Sequence, residues 1–452
     1  MPTFPAARGR RRDHWSSGIG FVLAATGSAV GLGNLWGFAY RASQGGGAAF
    51  VLLYVLIVVA VGLPVLTAEM VLGRSTGHAP LRAPASAAGR SWQPLGWLFV
   101  IVSLGILAFY AVLMGWTGRS LVHALLVGLP ADMASSEAYF AEISRGGDAV
   151  LAQVVSLALT GMVVAAGVQG GIERLSRWGV PLLFLLLLGL LVWAAFLPGA
   201  GAGYHGFLLR WEAAKLLDPT TIRNAFSQAF FSLGTGIGAI LAYAAYLDRR
   251  SGLHVEAASV AGMDTAVGLM AGCVTFPLVA SFGLEKLVSG STVGTLFIAL
   301  PTGLASLGAA GRLVAVLFFG LAFIAAITSA VSLLEVPVSS LIDRIGWSRH
   351  RAVWFCVGVL VLLGLPACLD TGVLEGMDAI FGGVLLLLGG LLVAVLLGWA
   401  APERLEIDLA GCATPSLWRR WLRFALRWVA PPAIALGLVA SVIDLLRMAG
   451  AA

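Results

Sequence analysis

Two short stretches place glycine and polar residues where an apolar helix would not want them: GSAVGLGN, residues 27–34, and SLGTGIG, residues 232–238. Glycine is a poor helix former, and unwinding a helix in lipid leaves N–H and C=O groups without partners. Freed carbonyls suit a hard cation such as sodium. Freed N–H groups at the start of a half-helix suit a carboxylate. A zwitterionic amino acid together with Na⁺ satisfies both kinds of group. Beside the breaks lie the oxygen donors Asn34, Ser232, Thr328 and Ser329, and the carboxylate Asp264. A carboxylate at mid-membrane costs at least ~2.5–3.5 kcal/mol on insertion scales, so Asp264 reads as functional by default. Plainer readings exist for single features. Gly27 and Gly31 form a GxxxG pair that can simply let two helices touch, and the Thr328 and Ser329 hydroxyls can bond back to their own helix. The second glycine break and the polar set together favour a binding site. Glu69 and Glu335 also lie in apolar spans; Glu69 reads as a tie for unwound backbone, and Glu335 as a similar tie nearer the cytoplasm.

The elements that must position these residues are membrane spans. The 452 residues are 59% hydrophobic and only 11% charged, with a mean hydropathy of +0.94, whereas a soluble globule carries about 25% charged residues. Apolar runs long enough to cross a bilayer recur throughout, which excludes a sizeable soluble domain. Eleven spans are predicted, near 16–40, 46–72, 95–126, 149–168, 179–197, 222–247, 257–284, 312–343, 351–369, 378–400 and 422–446. Arginine concentrates in alternate loops (Arg74, Arg82, Arg90, Arg174, Arg177, Arg249, Arg344, Arg349, Arg419) and acid in the opposite ones (Asp132, Glu137, Glu142, Asp148, Asp370). The N-terminus is therefore expected inside and the C-terminus outside. The same bias explains the net charge of +6 without nucleic acid. The basic head Arg8 to Arg12 reads as a cytoplasmic anchor for span one rather than an export signal. Cys273, Cys356, Cys368 and Cys412 are scattered and suggest neither zinc nor a disulfide framework. The glycine breaks fall at corresponding places if spans one to five and six to ten are two repeats. Each repeat then starts on the opposite side of the membrane, so the repeats are inverted. The expected organisation is a cytoplasmic segment 1–15, repeats 16–200 and 201–400, and a loop with an eleventh helix, 401–452.

The ordered motifs Arg12-Asp13-His14-Trp15, GSAVGLGNLW, GGGAAF (45–50), Glu69, Gly73-Arg74, Phe231-Ser232-Leu233-Gly234, Ala325 with Thr328-Ser329, and Asp378 resemble the neurotransmitter:sodium symporter family, in its bacterial amino-acid branch. The resemblance covers most of spans one to ten. It implies an all-α, five-plus-five inverted-repeat core in a bacterial plasma membrane, with sodium-driven uptake of an amino acid. It implies two sodium sites: one from the Ala29 carbonyl, Asn34, Ser232 and Asp264, and one from the carbonyls of Gly27, Val30 and Ala325 with the hydroxyls of Thr328 and Ser329. The substrate carboxylate would meet the N–H groups of Leu32 and Gly33, and Tyr110. The amine would meet carbonyls of Ala29, Phe231, Ser232 and Gly234. Ile106, Ile237 and Leu333 would line the side-chain pocket, closed from outside by Tyr110 and Phe231. Gly31, where amine carriers of the family place aspartate, leaves room for a substrate carboxylate; Gly234 leaves further space. An apolar, aromatic or imino amino acid is expected, carried by a chain for which a monomer suffices, among membrane lipid.

Four positions depart from the family pattern. Gly37 stands where an outer-gate arginine usually faces the span-ten aspartate, here Asp378, and Ala39 replaces a proline. Arg41, one turn further out on the same face, either reaches Asp378 or stands solvated. Asp264 replaces an asparagine, and Gly268 stands where other members carry serine or an acid. A fixed charge at Asp264 would offset the two sodiums and imply chloride independence. The inner gate implied is Arg12 with Asp343. Alternatives are a proton-driven amino-acid or polyamine carrier of the same architecture and, in a different class, a sensor or channel. Enzyme chemistry is not suggested: His14, His78, His123, His205, His254 and His350 form no nucleophile–base or metal motif.

Overall fold

A computed structural model of the chain describes residues 14–248, 252–284, 294–411 and 414–450. The described residues are almost wholly helical, with a single isolated bridge between Gly47 and Trp211 in place of any sheet. Nine helices among them are long and apolar enough to cross a membrane. Two further spans are broken. Span one comprises Gly18–Ala29 and Gly33–Gln44, bent by 60°. Span six comprises Pro219–Leu233 and Ala239–Ala244. Together they account for the eleven expected spans. The remaining nine run Ala48–Thr76, Arg90–Leu126, Gly146–Ala165, Val168–Ala195, Leu253–Phe282, Ala309–Ile345, Arg349–Leu369, Thr371–Ala400 and Ser416–Arg447.

The breaks have local causes. In span six Gly234, Gly236 and Gly238 take φ of +63°, +86° and +81°, a left-handed backbone that costs other L-residues roughly 1–2 kcal/mol each. At 236 the backbone also approaches span ten too closely for a side chain, since a Cβ there would lie 2.1 Å from the Leu386 carbonyl oxygen. In span one the helix ends at Ala29, and Val30 turns extended at ψ 100°.

Depth in the bundle differs between spans. Seventy-two per cent of the most apolar stretch of span three is buried, against 22% for span eleven. Span three packs along span eight at the centre, and spans one and six lie against span eight. Outward-facing Leu185, Leu362 and Leu446 are each more than 60% exposed, the pattern expected of a surface that meets lipid rather than water.

Candidate functional site

The break in span one rearranges its own hydrogen bonds. The Gly31 N–H points to Asn34 Oδ1 at 3.5 Å instead of the Gly27 carbonyl, and the Asn34 N–H goes to the Gly31 carbonyl instead of Val30. The carbonyls of Gly27 and Val30 are thereby released, and both face span eight. Ser329 Oγ lies 3.4 Å from the Gly27 oxygen, 3.3 Å from Val30 and 3.2 Å from Ala325. Thr328 Oγ1 lies 3.0 Å from the Ala325 oxygen and 3.1 Å from Ile324. One serine proton cannot serve three carbonyls. The cluster has more acceptors than donors, in a buried place, which is the chemistry of a cation site. The spacing fits as well: oxygens held 2.3–2.6 Å from a hard cation at right angles stand about 3.3–3.7 Å apart. The helix-packing reading of Gly27 also holds, because a Cβ there would meet Val180 at 3.1 Å and Thr328 at 3.2 Å. Close approach and exposed carbonyl are one arrangement.

A second polar cluster joins spans one, six and seven. Asn34 Nδ2 donates to Asp264 Oδ1 at 2.6 Å and to Ser232 Oγ at 2.8 Å, and Ser232 donates to Asp264 Oδ2 at 2.5 Å. The Tyr54 hydroxyl reaches the same carboxylate at 3.4 Å. All four residues are buried. For this cluster to hold a cation, the Asn34 amide must turn its oxygen toward Ser232 and Asp264.

Between the clusters lies a small cavity of about 30 Å³ lined by Ala29, Gly31, Asn34, Ile106, Tyr110, Phe231, Gly234, Ile237, Ser329 and Leu333. Above it is a wider cavity of about 440 Å³, which Leu32, Gly33 and Asp378 line. Tyr110 and Phe231 line both and so form the partition. The Leu32 N–H donates to the Tyr110 hydroxyl at 3.1 Å. A Cβ on Gly31 would lie 3.0 Å from both Ser329 Oγ and Tyr110 Oη, so a side chain at 31 would fill the space between them. At Gly234 a Cβ would meet only Ser28 Oγ, at 3.8 Å.

Several partners have no signal in the sequence. Arg41 is half-buried. Its guanidinium folds back over its own helix, so that a Cβ on Gly37 would be 3.5 Å from Arg41 Nη1, and it donates to Gln228 Oε1. Gln228 in turn donates to the Gly33 carbonyl at 3.3 Å. Arg41, Arg223 and Asp378 all line the wider cavity, and Arg223 pairs with Asp444 of span eleven. Arg12 of the expected inner gate lies outside the described residues. Asp343 meets His78 Nδ1 at 3.1 Å and Arg82 at 3.6 Å. Glu69 accepts the Gly236 N–H of the span-six break. Glu335 is held by Arg349 at 2.8 Å and by the Tyr246 hydroxyl at 2.9 Å.

A membrane bundle whose two broken helices present carbonyls and hydroxyls around a central cavity is the architecture of an ion-coupled secondary transporter. The Sodium:neurotransmitter symporter family profile matches residues 12–139 and 140–449, and the chain belongs to that family of sodium-dependent transporters. It is 38% identical over 370 residues to the uncharacterized sodium-dependent transporter YhdH of Bacillus subtilis, covering 80% of this chain and 79% of that one. It is 32% identical over 409 residues to an uncharacterized sodium-dependent transporter of Methanocaldococcus jannaschii, covering 86% and 82%. Among solved structures, MhsT in complex with L-phenylalanine superposes with a TM-score of 0.88 at 35% identity, covering 95% of this chain and 100% of that one. The fold is thus the all-α inverted-repeat core with spans one and six broken.

Proposed function

We propose that this protein imports a zwitterionic apolar, aromatic or imino amino acid together with sodium, by alternating access and without chloride. The observation that carries the reading is the surplus of carbonyl acceptors around Ser329, which sodium completes. This second sodium ties span one to span eight and holds the inward path shut. The first sodium sits with Asn34, Ser232, Asp264 and the Ala29 carbonyl, and touches the substrate carboxylate. That carboxylate takes the N–H groups of Leu32 and Gly33 and the proton of Tyr110; the amine takes the carbonyls of Ala29, Phe231, Ser232 and Gly234. Ile106, Ile237 and Leu333 enclose the side chain. The rings of Tyr110 and Phe231 part to admit the substrate and close over it, with Asp378 above. MhsT holding L-phenylalanine and a Drosophila melanogaster relative named sodium-dependent nutrient amino acid transporter 1, 26% identical over 406 residues, support an amino acid as cargo.

The same reading puts residues 1–15 and the arginine-rich loops in the cytoplasm of a bacterial cell and the C-terminus outside. Residues 16–200 and 201–400 form the repeats, and Asp343 works with Arg12 at the inner gate. The test is radiolabelled uptake into proteoliposomes with leucine, phenylalanine, tryptophan, proline and glycine as competitors. Uptake is expected to stop when choline replaces sodium and to persist when gluconate replaces chloride. Uptake that survives choline and follows a proton gradient would favour the proton-coupled reading, which the Asp264 carboxylate makes specific. Competition by glycine alone would reject a large pocket.

A further inference from the structure

A second cavity, distinct from the central site, opens sideways onto the bundle's outer surface where spans three, eight and nine meet. It measures about 230 Å³ and is lined mainly by apolar side chains, among them Val100, Leu104, Leu341 and Val359. At its rim Trp97, Ile345 and Phe355 are 46%, 56% and 51% exposed. An apolar cavity of ~150 Å³ stays dry and takes a guest the size of benzene, so a larger one facing hydrocarbon takes part of an acyl chain.

The cleft ends in cations. The Arg344 guanidinium lies 5.4 Å over the Trp97 ring, and Arg351 lies 4.5 Å over Trp347, whose ring meets Phe355 edge-on at 5.2 Å. The nearby carboxylates are engaged elsewhere: Asp343 by His78 and Arg82, and Glu335 by Arg349. Among the described residues neither Arg344 nor Arg351 forms an ion pair. We infer that this cleft is a binding site for one anionic phospholipid, its acyl chain between spans three, eight and nine and its phosphate on Arg344 and Arg351. Charge complementarity selects the headgroup, and the lateral opening selects a guest that arrives from the bilayer. Leu81 forms part of the wall, and its N–H donates to Ser340 Oγ at 3.4 Å. The bound chain therefore touches span eight and the 78–82 turn that holds Asp343.

The experiment uses the full-length protein in phosphatidylcholine vesicles doped with phosphatidylglycerol bearing a photoactivatable acyl chain, and labelled residues are mapped by peptide mass spectrometry. Labels are expected on 97–104 and 355–359. Near-surface arginines contribute about 1 kcal/mol each toward an anionic lipid, so the pair gives roughly 30-fold preference over the matching phosphatidylcholine probe. Arg344→Gln with Arg351→Gln is expected to remove that preference while leaving thermal stability in place. Val100→Trp, which fills the cleft, is expected to remove labelling by both probes. Equal labelling by the two probes, or a preference that survives loss of both arginines, overturns the proposal and leaves an ordinary annular lipid. The readout needs no transport, so it stands apart from the proposed symport.

Discussion

Replacing Ser329 by alanine removes a hydroxyl that faces all three carbonyls of Gly27, Val30 and Ala325, at 3.2–3.4 Å. If those oxygens hold sodium, the change deletes one cation ligand and leaves the carbonyls in place. An interaction with a charged partner contributes about 1.5–3 kcal/mol, so half-maximal sodium should rise by roughly 10- to 150-fold. Ser332→Ala is the matched control. Its hydroxyl bonds the Ser329 carbonyl at 2.8 Å and accepts from Ser28 Oγ at 2.6 Å, yet it does not touch the released carbonyls. Its half-maximal sodium should stay within about threefold, below ~0.7 kcal/mol. The assay is amino-acid uptake into proteoliposomes across a sodium titration, with thermal unfolding of both variants in sodium-free buffer. A Ser329→Ala protein with unchanged sodium dependence, or a shift equal to that of Ser332→Ala, would refute the reasoning. Loss of stability without a change in sodium response would show the cluster to be packing alone.

Three further outcomes are expected. Asp264→Asn removes the fixed negative charge beside Asn34 and Ser232; uptake in gluconate medium should fall at least about tenfold, because one unit charge at 4 Å carries about 4 kcal/mol at an effective dielectric constant of 20. Adding Gly268→Ser, whose Cβ would meet only the Phe38 ring at 3.4 Å, should let chloride restore part of it. Gly31→Ala puts a methyl 3.0 Å from Ser329 and Tyr110, so the apparent substrate KM should rise about tenfold, or about 1.4 kcal/mol, with thermal stability little changed. Arg41→Ala should alter both uptake rate and sodium affinity if Arg41 and Asp378 form the outer gate; unchanged values would remove Arg41 from it.

The central site was legible because its residues violate local rules. Glycines at 27, 31 and 33 and at 234, 236 and 238 oppose helix propensity inside apolar runs, and Asp264 opposes lipid. Each violation shows in one dimension. Long-range ion pairs show nothing locally. Arg223 and Asp444 are 221 positions apart, and Arg74 with Asp408 are 334 apart; each alone passes for an interfacial charge. Arg41 lies between these cases. Its position one turn beyond Gly37 was visible, but the sequence does not say that the guanidinium folds back over the glycine to reach Gln228. A Cβ at 37 would meet the guanidinium and the Gln228 oxygen in ordinary contact, at 3.5 and 3.6 Å.

The inventory of donors and acceptors explains why substrate and ion should arrive together. Around Ser329 the protein offers carbonyls in excess of protons. At Tyr110 the hydroxyl accepts the Leu32 N–H, and on the proposed reading a substrate carboxylate takes over that N–H together with the hydroxyl proton. On that reading sodium serves only the first cluster and a carboxylate only the second. The two clusters meet at Gly31, where a Cβ would stand equally close to Ser329 and Tyr110, so on the proposed reading cation and carboxylate sit on either side of one glycine. Sodium-free, the Ser329 cluster leaves carbonyls without donors in a buried place where unmatched polar groups are costly. On the proposed reading, coupling rests on this proximity and on the first sodium beside Asn34, Ser232 and Asp264, which touches the carboxylate directly.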